Sequence, residues 1–156
     1  MTPLMAKLNL KAQRTLLVLN APESFSQELD GLEGLRILTA PQPGQNIEFG
    51  IAFSFTKHDL DLNSRILAEH SSGDAVIWLA YPKMSSKRYT CEFNRDTGWD
   101  VMGQSGFEAV RQVSIDDDWS ALRFRRVEFI KTMKRSPSLA GTESGKARTE
   151  RNRRRS

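Results

Sequence analysis

Two short apolar runs constrain the fold of this chain more than any other feature. Residues 15–20 read T-L-L-V-L-N, and residues 75–81 read A-V-I-W-L-A-Y. Neither run alternates with polar residues, which is the pattern of a strand that is buried on both faces of its sheet. Sheets built from such strands are parallel and carry helices on both faces. The two runs therefore predict an α/β fold with a mostly parallel sheet.

Four further segments complete the predicted sheet. Residues 35–40 form a short apolar strand, and residues 47–55 alternate large apolar residues with small ones. The large residues should share one face, and the small ones should let a helix pack closely on the other. The large residues are Ile47, Phe49, Ile51, Phe53 and Phe55. The small residues are Gly50, Ala52 and Ser54. Residues 107–114 and 119–128 predict an antiparallel hairpin, because the link between them is too short for a crossover.

Three helices are predicted between these strands. Asn20 is a suitable N-cap for the first, which carries an apolar stripe at helical spacing: Phe25, Leu29 and Leu32. The second should run from about His58 to His70, with Leu60, Leu62, Ile66 and Leu67 on its inner side. A short third helix is expected from Asp96 to Gln104.

The link between the second and third strands leaves two topologies open. Residues 41–46 are too few for a helical crossover and include two prolines, which favour an extended conformation. Fully extended, such a link reaches roughly 20 Å, about the height of a strand. It can therefore cross the sheet without a helix, and the alternative is a hairpin between the two strands.

The charge is divided unevenly along the chain. Residues 131–156 hold nine Lys and Arg against two Glu, a formal charge of +7, whereas residues 1–130 carry −3. The last segment is rich in Ser, Thr, Gly and Arg and contains almost no large apolar residue. It cannot offset the entropy cost of ordering. We therefore predict an α/β domain over residues 1–130 and a disordered basic tail over residues 131–156.

The composition excludes several classes of protein. A single cysteine, Cys91, rules out an internal disulfide and a cysteine-rich zinc site. No apolar run is long enough for a membrane span, so a cytoplasmic protein is expected. The three carboxylates of residues 116–118 lie in a tight turn and cannot all face one ion. No metal site is expected.

The turn after the first strand lacks the features of a nucleotide-cofactor loop. In dinucleotide-binding folds this turn carries glycines, and an acidic residue follows the second strand. Here residues 20–24 contain no glycine but do contain Pro22, which has no N–H to donate. Thr39 and Ala40 stand where the acidic residue is expected. Neither NAD nor S-adenosylmethionine is expected to bind in the usual way, and no cofactor is assigned.

Polar residues that follow the buried strands define a candidate ligand-binding edge. The carboxyl ends of parallel strands are where ligands bind in α/β sheets. Lysines and serines there are suited to a phosphate or a carboxylate. The candidate ligand-binding residues are Asn20, Lys57, Lys83, Ser85, Ser86 and Lys87. The alternative is that the loop of residues 83–87 is merely a solvated polar loop. No catalytic residue is assigned.

Several segments together resemble a known bacterial family. They are residues 81–87 (Y-P-K-M-S-S-K), 94–100 (N-R-D-T-G-W-D) and 110–125, with the opening K-L-N-L-K and T-L-L-V-L-N-A-P-E. The chain is similar over about residues 5–128 to the family known as domain of unknown function 3052. The resemblance implies a Rossmann-like, methyltransferase-like fold trimmed of one helix. It implies no established activity.

Three functional hypotheses follow. The leading one is a Rossmann-like module, non-catalytic or weakly catalytic, that binds a small anionic ligand or a protein partner. The first alternative is an atypical S-adenosylmethionine-dependent methyltransferase. The second alternative is a nucleic-acid-associated factor that binds phosphates non-specifically through the basic tail of residues 131–156. The oligomeric state is not predicted.

Overall fold

The computed structural model describes residues 2–94 and 97–130. The elements are α1 (Pro3–Lys7), β1 (Thr15–Leu19), α2 (Glu23–Leu29), β2 (Arg36–Leu38), β3 (Ile47–Phe53), α3 (Lys57–Glu69), β4 (Ser71–Pro82), α4 (Asp100–Gln104), β5 (Phe107–Ser114), β6 (Trp119–Arg126) and α5 (Val127–Ile130). Residues 131–156 lie outside the described residues, as does Asp96, the predicted start of the third helix. Disorder of the tail and a domain boundary at residue 130 thus stay predictions.

The strands form one mixed sheet in the order β2-β1-β3-β4-β6-β5. The first four are parallel to one another, while β6 runs antiparallel to both β4 and β5. The short link between β5 and β6 closes a hairpin, as predicted. An α/β fold with a mostly parallel sheet and an antiparallel C-terminal pair is confirmed.

The link of residues 41–46 crosses the sheet without a helix. It leaves β2 at one edge of the sheet and enters β3 on the other side of β1. Both strands pair with β1 in parallel, so β2 and β3 do not pair with each other. The crossover without a helix is therefore confirmed, and the hairpin alternative is wrong. The link is not fully extended, because the Gln45 N–H donates to the Gln42 carbonyl at 3.1 Å in a turn.

Each side of the sheet carries its own apolar core. We call them the α2 side and the α3 side, after the helix that covers each. The α2 side contains Met5, Leu8, Leu16, Val18, Phe25, Phe49, Ile51, Trp78, Trp119 and Ala121 among others. The α3 side contains Leu17, Leu60, Leu67, Ile77, Leu79, Tyr81, Met102, Leu122 and Phe124 among others. The indole N–H of Trp78 donates to the Leu8 carbonyl at 2.8 Å, which ties the N-terminal segment to the α2 side.

The small residues of β3 do allow a helix to approach, as predicted. A Cβ atom added at Gly50 would lie 2.6 Å from the Leu67 Cδ2 of α3. Beyond the strand, the buried Ser54 hydroxyl accepts a hydrogen bond from the Asn63 side chain at 2.9 Å. Ile47 is an exception to the predicted face, because the register shifts between Ile47 and Phe49 and Ile47 joins the α3 side.

Two helix details differ from prediction. Asn20 does not cap α2: the N-cap is Pro22, and no side chain supplies a capping hydrogen bond there. On α3, the Thr56 hydroxyl accepts from the Asp59 N–H at 3.0 Å, and the helix begins at Lys57. Leu62, predicted to face inward, is 47% exposed, because Leu60 and Leu67 fill the helix face that packs on the sheet.

Candidate functional site

The turn after β1 lies at the topological switch point of the sheet, because β2 and β3 lie on opposite sides of β1. Open α/β sheets usually bind ligands at such a point. Asn20 is exposed there and adopts a left-handed conformation with φ of 61°. Asn tolerates this conformation better than other non-glycine residues. Asn20 therefore shapes the turn rather than capping the helix.

Lys57 lies at the start of α3, near the same edge of the sheet. Its ammonium donates to the Asp61 carboxylate and lies 3.1 Å from Asp100 Oδ1. Hydrogen bonding to Asp61 is the largest effect that raises the pKa of Lys57. The backbone N–H of Lys57 donates to the Glu92 carboxylate at 2.9 Å. An incoming anion would have to compete with two carboxylates for this ammonium.

The loop after β4 is held by the turn between β5 and β6. The Lys83 N–H donates to the Asp118 carbonyl at 2.8 Å, and the Ser86 hydroxyl donates to the Asp118 carboxylate at 2.9 Å. The same hydroxyl oxygen accepts from the N–H groups of Tyr89 at 3.1 Å and Arg88 at 3.2 Å. The three bonds of its hydroxyl give Ser86 a structural role in the loop.

Ser85 and Lys87 stand apart from Ser86 in the same loop. Both are exposed. The structure thus separates the six predicted residues into the turn after β1, the start of α3 and the loop after β4. Of the other five, Ser86 is bonded to Lys83, since its N–H donates to the Lys83 carbonyl at 3.0 Å. Lys83 alone among the six lines the cavity described below. Their predicted role in ligand binding stays a prediction.

Asp116, the first aspartate of the β5–β6 turn, bonds to the backbone of that turn. Asp116 Oδ1 accepts from the N–H of Asp118 at 2.8 Å and from that of Trp119 at 2.9 Å. This is the usual reason for Asp in tight turns. Within residues 2–94 and 97–130, no three or more side chains of metal-ligating type come together.

A cavity of about 330 Å³ opens beside the carboxyl end of β4, on the α3 side of the sheet. Aromatic, apolar and polar side chains line it: Tyr81, Pro82, Lys83, Met84, Phe93, Asn94, Gln112 and Ser120. Tyr81 and Phe93 lie with ring centroids 6.0 Å apart, and Trp99 packs edge-on against both. Ligand pockets in proteins combine apolar walls with a few polar groups in this way.

The Lys83 ammonium is the charged group of this cavity. It donates to the Ser114 hydroxyl at 2.7 Å. Within the part of the chain that the structure describes, Lys83 forms no ion pair with a carboxylate. Gln112 donates to the Tyr81 hydroxyl at 2.8 Å across the same cavity. The arrangement offers one cation and several neutral hydrogen-bonding groups beside an aromatic wall.

Sequence reasoning missed most of this cavity, although the hairpin carries a signal for it. Gln112 and Ser120 occupy positions of β5 and β6 that share a face with the buried Leu122 and Phe124. Polar residues on an otherwise apolar strand face indicate that something other than core packing uses that end of the strand. Asn94, by contrast, comes from a loop, and no pattern in the sequence predicts its position.

Cys91 lies close to this region but is not an activated thiol. Burial is the main reason that its pKa is raised, and the Glu92 carboxylate raises it further. Reactive thiols have a lowered pKa. A raised pKa is that of an ordinary, unactivated thiol.

The described fold is similar to solved structures of methyltransferases. The chain matches N-methyltransferase NodS from Bradyrhizobium japonicum WM9 with a TM-score of 0.53 and 10% identity, over 78% of this chain and 92% of that one. It matches the magnesium protoporphyrin IX methyltransferase ChlM from Synechocystis PCC 6803, solved with bound SAH, with a TM-score of 0.51 and 12% identity, over 79% and 78%. For the mitomycin 7-O-methyltransferase MmcR the TM-score is 0.55 at 10% identity, over 73% of this chain and only 49% of that one.

These likenesses define the class of fold. The chain has the Rossmann-like fold of S-adenosylmethionine-dependent methyltransferases. No family model matches the chain, and no curated protein matches it in sequence. Membership of the family known as domain of unknown function 3052 therefore stays a prediction. At the level of fold, the likenesses favour the methyltransferase hypothesis over the other two.

Two other expectations bear on location and partners. No helix of the described residues is long and apolar enough to cross a membrane. The hypothesis of nucleic-acid binding concerns residues 131–156, which lie outside the described residues. It stays a prediction.

Proposed function

We propose that this chain is a methyltransferase-like Rossmann domain that binds a small anionic ligand in the cavity beside β4. The observation that carries the proposal is Lys83, which lines the cavity and whose ammonium donates to the Ser114 hydroxyl and pairs with no carboxylate of the described residues. A cation in a partly enclosed site, without an internal counter-ion, favours an anion from solution.

The volume and the lining of the cavity indicate the size and the chemical class of the ligand. Its volume of about 330 Å³ lies at the lower end of the usual range for ligand pockets, so the ligand is small. Tyr81 and Phe93 offer aromatic surface, on which a flat ring packs well. Asn94, Gln112 and Ser120 add neutral hydrogen-bonding groups. We therefore expect an aromatic carboxylate or an aryl phosphate.

The turn after β1 argues against the usual cofactor. Pro22 provides no backbone N–H at the start of α2, and Asn20 occupies the left-handed position. At the end of β2, Thr39 and Ala40 offer no carboxylate for ribose hydroxyls. S-adenosylmethionine held through a glycine turn and an acidic residue is thus not part of this proposal.

A ligand screen with a charge-neutral variant tests the proposal. Benzoate, indole-acetate and phenyl phosphate should raise the midpoint of thermal unfolding of the parent chain, because a ligand that binds the native state stabilises it. Lys83→Met should weaken the affinity for the ligands that do so by about tenfold or more, the value of a lost charged hydrogen bond. Lys7→Met, which removes an exposed lysine from α1, is the matched control and should leave the shifts unchanged. Equal shifts in the parent and Lys83→Met, or no shift with any compound, would overturn the proposal.

The second candidate is an atypical S-adenosylmethionine-dependent methyltransferase. The observation that favours it is the likeness of the whole described fold to methyltransferase structures, which extends over more than 70% of the chain. Titration calorimetry with S-adenosylmethionine separates the two candidates. A dissociation constant in the low micromolar range would place the methyltransferase first, whereas weak or absent binding would leave the ligand-binding module.

A further inference from the structure

Two arginines lie directly opposite each other on the antiparallel pair of strands, on the α2 side of the sheet. Arg111 of β5 pairs in register with Arg123 of β6, and Arg123 is in turn opposite the buried Trp78 of β4. A β-bulge between Ala109 and Arg111 sets this register. Like charges that face each other across a strand pair destabilise the sheet, so the arrangement needs an explanation.

Arg123 is poorly solvated as well as crowded by charge. Its side chain is half-buried, and its Nε is buried with no hydrogen-bond partner. Burial lowers the pKa of Arg123, and the nearby Arg125 and Arg111 lower it further. A buried polar group without a partner destabilises the fold, so nearly all such groups in native structures are satisfied. The two terminal nitrogens of Arg123 are not among the buried unpaired atoms and therefore keep contact with solvent.

The neighbouring charges do not neutralise the pair. Arg125, the next residue on the same face of β6, forms a two-pronged ion pair with Asp74, with N–O distances of 2.8 and 2.7 Å. The Asp74 charge also raises the pKa of Arg123, but by less than burial and Arg125 lower it. In the described part of the chain, neither Arg111 nor Arg123 forms an ion pair or a side-chain hydrogen bond. Among the described residues, the half-buried Arg123 and the exposed Arg111 therefore have no hydrogen-bonded counter-charge.

We propose that Arg111 and Arg123 form a binding site for a phosphate group carried by a ligand of this protein. A phosphate bridging the two guanidinium groups would relieve their repulsion and supply the missing counter-charge. Arginine suits this role because its planar donors match phosphate oxygens two at a time. Departures from good local packing and charge pairing are expected at functional sites.

This site is separate from the cavity that contains Lys83. Gln112 and Ser120 of the cavity face the α3 side, whereas Arg111 and Arg123 face the α2 side, because neighbouring residues of a strand point to opposite faces. The inference therefore does not rest on the proposed function. Either could fail while the other stands.

An NMR titration of the full chain with inorganic pyrophosphate tests the site directly. The side-chain Nε–H signals of Arg111 and Arg123 should shift and saturate, while an equal ionic strength of sodium chloride should leave them in place. Site-resolved signals are needed because the basic segment of residues 131–156 attracts anions of its own. Signals that shift without saturation, or that do not shift, would overturn the proposal.

Two variants sharpen the test. Arg123→Met should weaken pyrophosphate binding at the Arg111 signal by about tenfold or more, since a hydrogen bond to a charged group is lost. It should not lower the midpoint of thermal unfolding, because it removes a poorly solvated charge. Arg36→Gln, an exposed arginine on the opposite edge strand β2, is the matched control and should change neither. An unchanged affinity in Arg123→Met, or a clear loss of stability, would mean that Arg123 is structural and would overturn the proposal.

A second titration of the same chain distinguishes two sources of the phosphate group, a nucleic-acid backbone and a small phosphorylated ligand. A single-stranded oligonucleotide that saturates the Arg111 and Arg123 signals at lower concentration than pyrophosphate would identify a nucleic-acid backbone as the source. Saturation by pyrophosphate alone would identify a small phosphorylated ligand. Failure of both probes to reach these two arginines would overturn the site.

Discussion

The two halves of the sheet differ in what they offer a ligand. The parallel region, formed by β2, β1 and β3, has the topology at which Rossmann-like folds usually bind ligands. However, the turn after β1 contains no glycine, and no acidic residue stands at the end of β2. The antiparallel region, formed by β4, β6 and β5, is not where ligands usually bind in Rossmann-like folds. It nevertheless contains the cavity with Lys83, and Arg111 and Arg123, which form no ion pair with any described residue.

In this protein, the fold is similar to that of methyltransferases, but the positive charges that could bind a ligand lie elsewhere than the usual binding turn. The likeness to methyltransferases comes from the order of the strands and the connections between them. The uncompensated positive charges come from side chains on the loop after β4 and on the C-terminal hairpin. Function depends on the chemistry of a site and not on the fold that carries it. We therefore place binding in the antiparallel region.

The largest expected effect concerns the core of the parallel region. Gly50→Val would force two methyl groups into space already filled by Leu67 and Ile47, whose nearest atoms lie 2.6 and 2.9 Å from the position of a Cβ. Overpacking of this kind costs about 1–3 kcal/mol of unfolding free energy. Urea denaturation measures it.

A glycine with open surroundings is the matched control for that variant. Gly103 in α4 has nothing within 4 Å of the position that a Cβ would occupy, and its φ is not positive. Gly103→Ala should therefore leave stability unchanged or raise it by roughly 0.5–1 kcal/mol, the difference in helix propensity. If both variants were equally stable, the close packing of α3 on β3 would be refuted.

A smaller effect is expected in the antiparallel region. Ser86→Ala removes a hydroxyl that bonds to Asp118 and to two backbone N–H groups. We expect a loss of about 1 kcal/mol, typical of a partly exposed hydrogen-bonding group. The exposed neighbour Ser85 gives the matched control, since Ser85→Ala should change stability by less than about 0.5 kcal/mol. Equal effects of the two variants would refute the structural role of Ser86.

The strands could be predicted from the sequence because their signals are local. The apolar run of β1, the small residues of β3 and the short hairpin link each depend on neighbouring residues, and all three predictions are confirmed. The cap of α2 was predicted wrongly, because Asn20 is equally favoured as a cap and in a left-handed turn. Only the three-dimensional path of the chain decides between the two.

The candidate site was harder to predict than the fold. Lys83 was found because it follows a buried strand. The cavity also needs Gln112 and Ser120, which reach it only through the register between β4, β6 and β5. The facing arginines depend on the same register and on a bulge, and no local pattern in the sequence encodes either.

The smallest predicted effect is a pH dependence of stability that arises from Asp74, the ion-pair partner of Arg125. Hydrogen bonds from Arg125 are the main reason that the pKa of Asp74 is lowered, and Arg123 lowers it further. A carboxylate with a lowered native pKa stabilises the fold above its unfolded pKa, and this stabilisation is lost as the pH falls through the native pKa. Because Asp74 is more than one third exposed, the contribution should be below about 1 kcal/mol.

Comparison with Asp74→Asn isolates that contribution. The parent should be slightly more stable than the variant at neutral pH. The difference should begin to shrink below about pH 4, where the unfolded carboxyl takes up its proton, and should disappear once the pH is below the lower native pKa. Chemical denaturation at the two pH values measures this. A difference that persists or grows in acid would contradict the assigned cause.

The central claim is that ligands bind in the antiparallel region rather than at the turn after β1. Backbone amide NMR of the full chain, recorded during a titration with phenyl phosphate, tests it most directly. We expect saturating shifts at Tyr81, Lys83 and Gln112, which border the cavity. Saturating shifts confined to residues 20–23 and 39–40, or no saturating shift in either region, would contradict it.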